Sequence, residues 1–148
     1  MAHVRKQIRN KLVDVLKAGV PLVNRRVYDS RVYSLTQDKM PALVISTVSE
    51  SSGLMNMGST KNLDRVCSIS VDVYVRATEI FDDNVDAICV QVEEAIGANF
   101  YLDGLSKNTI LSSTEIEFNG EAEQPVGIAR LTYDVRYVTS ITDVESAR

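Results

Sequence analysis

The 148-residue sequence contains no tryptophan, one histidine, two cysteines, three prolines and seven glycines. Because glycine and proline are scarce and 24% of the residues are charged, as is usual for globular proteins, the composition excludes collagen-like and disordered chains. The longest apolar runs, such as residues 41–45, are far shorter than the roughly 20 residues of a membrane-spanning helix. The N-terminus also lacks the apolar core of a signal peptide. We therefore expect one soluble globular domain over residues 1–148 and no membrane partner.

Positive charge is in slight deficit, with 16 basic against 20 acidic residues, so no overall positive field holds nucleic acid nonspecifically. The charge is nevertheless unevenly distributed. Residues 3–18 carry a net charge of +4, whereas residues 82–98 carry a net charge of -5. Two helices of opposite charge attract each other within a subunit if they are neighbours. If they lie at opposite flanks, they can pair between copies arranged head to tail. Two simply solvated helix faces are the third interpretation.

Residues that carry familiar chemistry are also missing. The single histidine, His3, is expected as an exposed side chain at the start of a helix, which argues against Ser-His or Cys-His catalysis. No phosphate-binding, dinucleotide-binding or HExxH motif is present. Cys67 and Cys89 lie 22 positions apart with no ligand cluster beside them, so we expect reduced core cysteines, with a disulfide as the less favoured alternative. The sequence predicts no catalytic residue, no metal and no cofactor, and hence a protein that is not an enzyme.

The densest acidic cluster is formed by Glu115, Glu117, Glu121 and Glu123. Carboxylates at a spacing of two on a strand can share a divalent cation, but they are more often a solvated strand face. A small metal-dependent enzyme that uses Glu115, Glu117 and Asp134 is therefore a distant alternative.

Apolar periodicity predicts the secondary structure. Spacings of three and four indicate a helix over residues 3–18, which ends at Gly19, and a second helix over residues 82–97, which begins at Asp82 and Asp83. Alternating or β-branched residues predict strands over 26–33, 42–48, 65–77, 110–118 and 127–139. A long loop is predicted over 49–63, and a short polar tail from about residue 140. The fold class is therefore α+β, with a mostly antiparallel sheet of four to five strands and both helices on one face.

Two regions are candidates for contacts with partners. The predicted loop contains Leu54, Met55 and Met57, which suit docking onto another protein unless the loop folds back over its own core. The outward side of the two long strands mixes both charges with an aromatic ring, which suits a subunit contact, although an ordinary solvated sheet face has the same composition. Its residues are Asp72, Tyr74, Arg76, Arg130, Asp134 and Arg136.

A series of segments together resembles a known family. They are Arg31–Ser34, Pro41–Ile45, Ser70–Arg76, Asp83–Asp86, Thr114–Phe118 and Glu123–Tyr137. In order, spacing and total length they resemble the tail terminator proteins of long-tailed bacteriophages, the minor tail protein U type of lambda-like phages. The resemblance implies an α+β subunit of a homo-oligomeric ring, with a hexamer expected. The ring would sit in the virion, at the head-proximal end of the tail, after assembly in the host cytoplasm.

The resemblance also implies partners. The ring would stop polymerisation of the tail tube protein, offer a surface to the head-tail connector protein, and let DNA pass through. The predicted docking residues are Leu54, Met55 and Met57, and the predicted subunit contacts are Arg31, Asp72, Arg76 and Arg136. A head-tail joining protein, also virion-bound and ring-forming, is the alternative.

Overall fold

The computed structural model describes residues 2–29, 40–55, 61–76, 81–119 and 126–148. Within these ranges lie two helices, each followed by three strands. Their bounds are α1 Val4–Gly19, β1 Val27–Tyr28, β2 Ala42–Leu54, β3 Asn62–Arg76, α2 Phe81–Ala98, β4 Asn108–Asn119, β5 Val126–Ser140 and β6 Asp143–Ala147. Short 3-10 turns cover Pro21–Val23 and Leu102–Gly104.

Both predicted helices are confirmed, because each has a continuous apolar stripe that the sheet can cover. In α1 the stripe is Val4, Ile8, Leu12, Val15 and Leu16, and all five side chains are buried. The two helices lie side by side and touch closely, since a Cβ atom added at Gly19 would lie 2.7 Å from the Cβ of Ala95. Among the described residues, no helix is long and apolar enough to cross a membrane.

The strands form one mixed sheet in the order β1-β2-β3-β5-β4, with β6 beside β5. The β1–β2 pairing is parallel and the other pairings are antiparallel, which confirms the α+β class and the mostly antiparallel sheet. One face of the sheet and the apolar stripes of both helices belong to a single core. In β3 the alternating residues Cys67, Ile69, Val71 and Val73 point into this core, as the sequence pattern predicts.

The predicted loop over 49–63 is wrong for most of its length. β2 continues to Leu54 and β3 begins at Asn62, and the two strands pair up to Leu54 opposite Leu63. A bulge between Thr47 and Ser49 shifts the alternation, and beyond it most of the side chains of β2 are exposed. Because most of this segment is exposed and its one well-covered side chain is the charged Glu50, it contains few apolar residues and has no sequence signal of a strand. Residues 56–60, and with them Met57, lie outside the described residues.

The two ends of the sheet also differ from prediction. The expected polar tail contains β6, which pairs with β5 through Thr139 opposite Ala147 and Ser140 opposite Asp143. The strand expected over 26–33 is confirmed as Val27–Tyr28, and its residues from 30 onward, including Arg31, lie outside the described part of the chain. β3, β4 and β5 cover the three remaining strand predictions.

Both cysteines are free and buried, as predicted. Burial raises the pKa of the Cys67 thiol to about 12 and that of Cys89 to about 11, with smaller contributions from nearby carboxylates. Neither thiol is therefore an activated nucleophile at neutral pH.

Candidate assembly surfaces

The sheet face that lies opposite the helices, here called the outer face, carries a polar groove of about 330 Å³. Asp72 lies in this groove, and its carboxylate is held within the subunit: Oδ1 accepts hydrogen bonds from Ser70 Oγ at 2.6 Å and from Arg130 Nε at 3.0 Å. The bond to Asp72 raises the pKa of Arg130, while burial and then Asp72 raise the pKa of Tyr74. Asp72 is thus paired within the subunit, whereas the buried Oγ of Ser46 in the same groove has no hydrogen-bond partner among the described residues.

Arg136 lies further along the outer face and forms a bidentate pair with Asp64. Its Nε donates to Asp64 Oδ1 at 2.8 Å and its NH2 group to Oδ2 at 3.0 Å, which raises the pKa of Arg136. Arg76 is exposed at the end of β3. The role of Asp72, Arg76 and Arg136 in subunit contacts stays a prediction, and the pairs made by Asp72 and Arg136 are internal to one copy.

A second surface lies where β2 ends and β3 begins, and we call it the hairpin end. Leu54 and Met55 are about half exposed there, as the docking prediction requires. Ile141, in the turn between β5 and β6, lies at the same end, since its N–H donates to the carbonyl oxygen of Lys61 at 3.1 Å. Ile141 is also exposed. The sequence analysis missed it because its neighbours read as a polar tail.

A third surface, the β4 flank, consists of the edge strand β4 and the helix α2. The sequence pattern predicts a half-buried strand with Ile110, Ile116 and Phe118 on its covered face, but all three side chains are more than half exposed. Among the described residues β4 has a neighbouring strand on one side only, and a bulge between Leu111 and Ser113 places Ile110 on the face opposite to Ile116. The ring of Phe118 contacts that of Phe81 at a centroid distance of 5.4 Å. The exposed carboxylates of this flank are Asp82, Asp83, Asp86, Glu93, Glu94, Glu115 and Glu117.

The proposed metal ligands do not converge on this flank. Glu115 pairs in register with Arg130, and Glu117 Oε1 lies 4.0 Å from Arg130 NH1. Asp134 lies four residues further along β5, where it accepts a hydrogen bond from Ser68 Oγ. Within the described ranges no group of three or more histidine, cysteine or acidic side chains is placed to hold a metal ion. Glu121 and Glu123 lie outside those ranges.

A buried polar cluster beneath the start of α1 was not predicted. The Glu50 carboxylate accepts hydrogen bonds from Arg5 NH1 at 2.6 Å, from Arg65 NH1 at 3.3 Å and from the hydroxyl of Tyr137. His3 lies beside it and is not a freely exposed side chain, because its Nδ1 accepts the N–H of Arg5 at 3.0 Å and caps α1. Burial, together with Arg5 and Arg65, lowers the pKa of His3. A neutral histidine that caps a helix is a structural group.

Comparison with known proteins identifies a solved structure with a similar fold. No protein-family model matches the chain, and no curated protein matches it by sequence. Among solved structures, the chain is similar to one from the virion of a native gene transfer agent particle, with a TM-score of 0.57. The match covers 86% of this chain and 92% of that one at 16% sequence identity. At that identity the match establishes a shared fold over nearly the whole length of both chains.

Proposed function

We propose that this chain is a structural protein of a phage-like virion and, more specifically, the ring-forming tail terminator that caps a tail tube. The observation that carries the proposal is the shared fold with a chain from a gene transfer agent virion, which extends over 86% of this chain and 92% of that one. The ordered resemblance of the sequence to tail terminators supports the finer assignment.

The surfaces of the molecule suit this role. A terminator must present one surface to the last ring of the tail tube and another to the head connector, and it must pair with copies of itself. The hairpin end offers exposed Leu54, Met55 and Ile141 for docking. A cap seated there would cover the end of the tube and stop further addition of tube subunits. The acidic net charge of -4 suits a ring through which DNA passes without being gripped.

The decisive experiment removes the gene from the virus or prophage that carries it and examines the particles by electron microscopy. Loss of a terminator leaves tails of uncontrolled length. Loss of a head-tail joining protein leaves tails of normal length beside finished heads, and that outcome would replace the terminator assignment. Normal infectious particles would contradict both.

The docking prediction has its own test. Replacing Leu54, Met55 and Met57 together by Ser should leave the subunit folded, since the first two side chains are exposed, and should abolish tail completion in a complementation assay. Leu22→Ser is the matched control, because Leu22 is also about half exposed but lies in the turn after α1. Infectious particles at the normal titre from the triple variant would contradict the docking role of these residues.

A further inference from the structure

Among the described residues, the sheet of one subunit ends in two strand edges that are open over part or all of their length. β4 is the last of these strands on one side, and 11 of its 12 residues are in register with β5. On the other side, β1 pairs only with Leu43 and Val44, so within the described part of the chain no strand lies beside Ser49–Leu54 of β2. An edge strand presents unpaired N–H and C=O groups, which are a template for pairing with another chain.

Both open edges also carry apolar side chains that are exposed to solvent, which is energetically unfavourable. Ile110 is 52% exposed on β4 and Val48 is 52% exposed at the bulge of β2, and the strand registers place these two residues at nearly the same height along the sheet. Natural edge strands usually avoid long exposed stretches of this kind or cover them. Each edge would therefore gain backbone hydrogen bonds and cover its apolar side chains by pairing with the other edge of a second copy.

The charges beside the two edges are opposite. α2 packs against β3 and β4, and its carboxylates are exposed on the β4 flank together with Glu115 and Glu117. α1 packs against β1 and β2 and also against β6. It carries five basic residues and one acidic residue, and two of the basic residues, Arg5 and Lys11, are paired within the subunit with Glu50 and Asp103. We call α1 and the open part of β2 the β2 flank. A β4 flank placed against a β2 flank thus brings an acidic surface to a basic one, whereas two β4 flanks would repel each other.

Strand direction is compatible with this placement. β2, β3, β5 and β4 are successively antiparallel, so β4 runs opposite to β2. When copies are related by rotation about an axis along the strands, β4 of one copy meets β2 of the next in antiparallel orientation, which is the more stable arrangement. Contacts between two different surfaces close into a ring if the rotation closes.

From these observations we propose that copies of this chain join edge to edge, with the β4 flank of one copy against the β2 flank of the next, so that the sheets continue from subunit to subunit. The partner is a second copy of the same chain. The inference rests on the proposed ring-forming function and adds the surface through which the ring forms.

The first test measures the solution mass by light scattering over a range of protein concentration. Ile110→Lys on β4, level with Ser49 of β2, should raise the concentration needed for half-assembly at least about tenfold, because it places a charge in the contact. Leu22→Lys is the matched control, since Leu22 is 47% exposed but lies in the turn after α1, outside both flanks, and it should assemble like the unchanged protein. Circular dichroism of both variants confirms that each is folded.

The second test identifies the partner surface by cross-linking. A chain with Ser49→Cys on β2 is mixed with a chain that carries Ile110→Cys on β4, because the strand registers place these two positions at the same height along the sheet. A short bis-maleimide is then added. Both positions are exposed, whereas the native Cys67 and Cys89 are buried. The mixture should give a covalent dimer, and neither variant alone should do so.

The outcomes separate the inference from the proposed function. Efficient cross-linking of the Ile110→Cys chain to itself would overturn the inference in favour of a symmetric β4–β4 dimer. A ring that forms normally with Ile110→Lys and gives no β2–β4 cross-link would overturn the inference and leave the ring-forming function standing. An unchanged protein that stays monomeric at every concentration, alone and with tail tubes, would contradict the proposed function itself.

Discussion

Glu50 joins three elements that are far apart in the chain. Its carboxylate binds Arg5 of α1, Arg65 of β3 and Tyr137 of β5 under the start of α1. The side chains of Glu50 and Arg65 are only 11% and 10% exposed. A buried pair of this kind contributes little compared with an apolar pair of equal size, but removing one partner leaves an uncompensated buried charge.

Glu50→Ala should therefore lower the free energy of unfolding by about 3 kcal/mol, because Arg65 stays buried without its counter-ion. Urea denaturation followed by circular dichroism measures this change. Glu93→Ala is the control, since Glu93 is exposed on α2, and it should change stability by less than about 0.5 kcal/mol. Equal effects of the two substitutions would show that the cluster does not stabilise the fold.

His3 predicts a pH dependence of stability. Its pKa in the folded protein is lowered below the usual value of 6.5, first by burial and then by Arg5 and Arg65, with Glu50 opposing them. Between the folded pKa and 6.5 the unfolded chain binds a proton that the folded chain does not, so stability should fall as the pH is lowered through that window. Protonation also removes the acceptor at Nδ1 that caps α1.

The measurement compares the free energy of unfolding at about pH 7 and about pH 5.5 for the unchanged protein and for His3→Asn. Asn caps helices well and does not titrate, so this variant should lose the part of the pH dependence that comes from His3. Because the chain has one histidine, an identical slope in both proteins would mean that His3 does not supply it.

At the scale of elements, the start of α2 packs closely against β5 because Gly127 of β5 has no side chain. A Cβ atom added at Gly127 would overlap the ring of Phe81, the first residue of α2. Phe81 is buried and also contacts Phe118 of β4. Gly127 therefore sets how closely the helix approaches the sheet beside the β4 flank.

Gly127→Ala should destabilise the subunit by about 2 kcal/mol, as expected when a methyl group is forced into a packed core. Thermal or urea denaturation measures the loss. Gly53→Ala is the control in another strand, because a Cβ atom there has no neighbour within 4 Å, and it should cost nothing or stabilise slightly. A tolerated alanine at Gly127 would mean that Phe81 can move without loss of packing.

At the scale of the whole molecule, the charges of the two flanks predict a salt dependence. If acidic and basic flanks meet between copies, raising the salt concentration from about 0.05 M to about 0.5 M should weaken association, because exposed charges are screened beyond the Debye length. Light scattering across a salt titration measures the shift in the assembly concentration. Association that is unchanged or strengthened by salt would indicate that apolar contacts alone join the copies.

Local sequence determined a large part of this protein. The apolar stripes of α1 and α2, and the alternation from Cys67 to Val75 in β3, identified these elements and their buried faces because helical and strand periodicity depend on residues a few positions apart. The α+β class follows from the order of those elements. The absence of familiar catalytic and cofactor motifs is likewise a property of the sequence alone.

Tertiary structure decided the rest. The order in which the strands pair determines which strand lies at the edge of the sheet. The alternation of apolar residues in β4 is the same for a covered strand and for an edge strand, so it did not predict the exposure of Ile116 and Phe118. The strand after Ser49 is held by β3 and not by its own composition. The partners of Glu50 come from residues 15 to 87 positions away, and contacts over such separations form only when the whole sheet assembles.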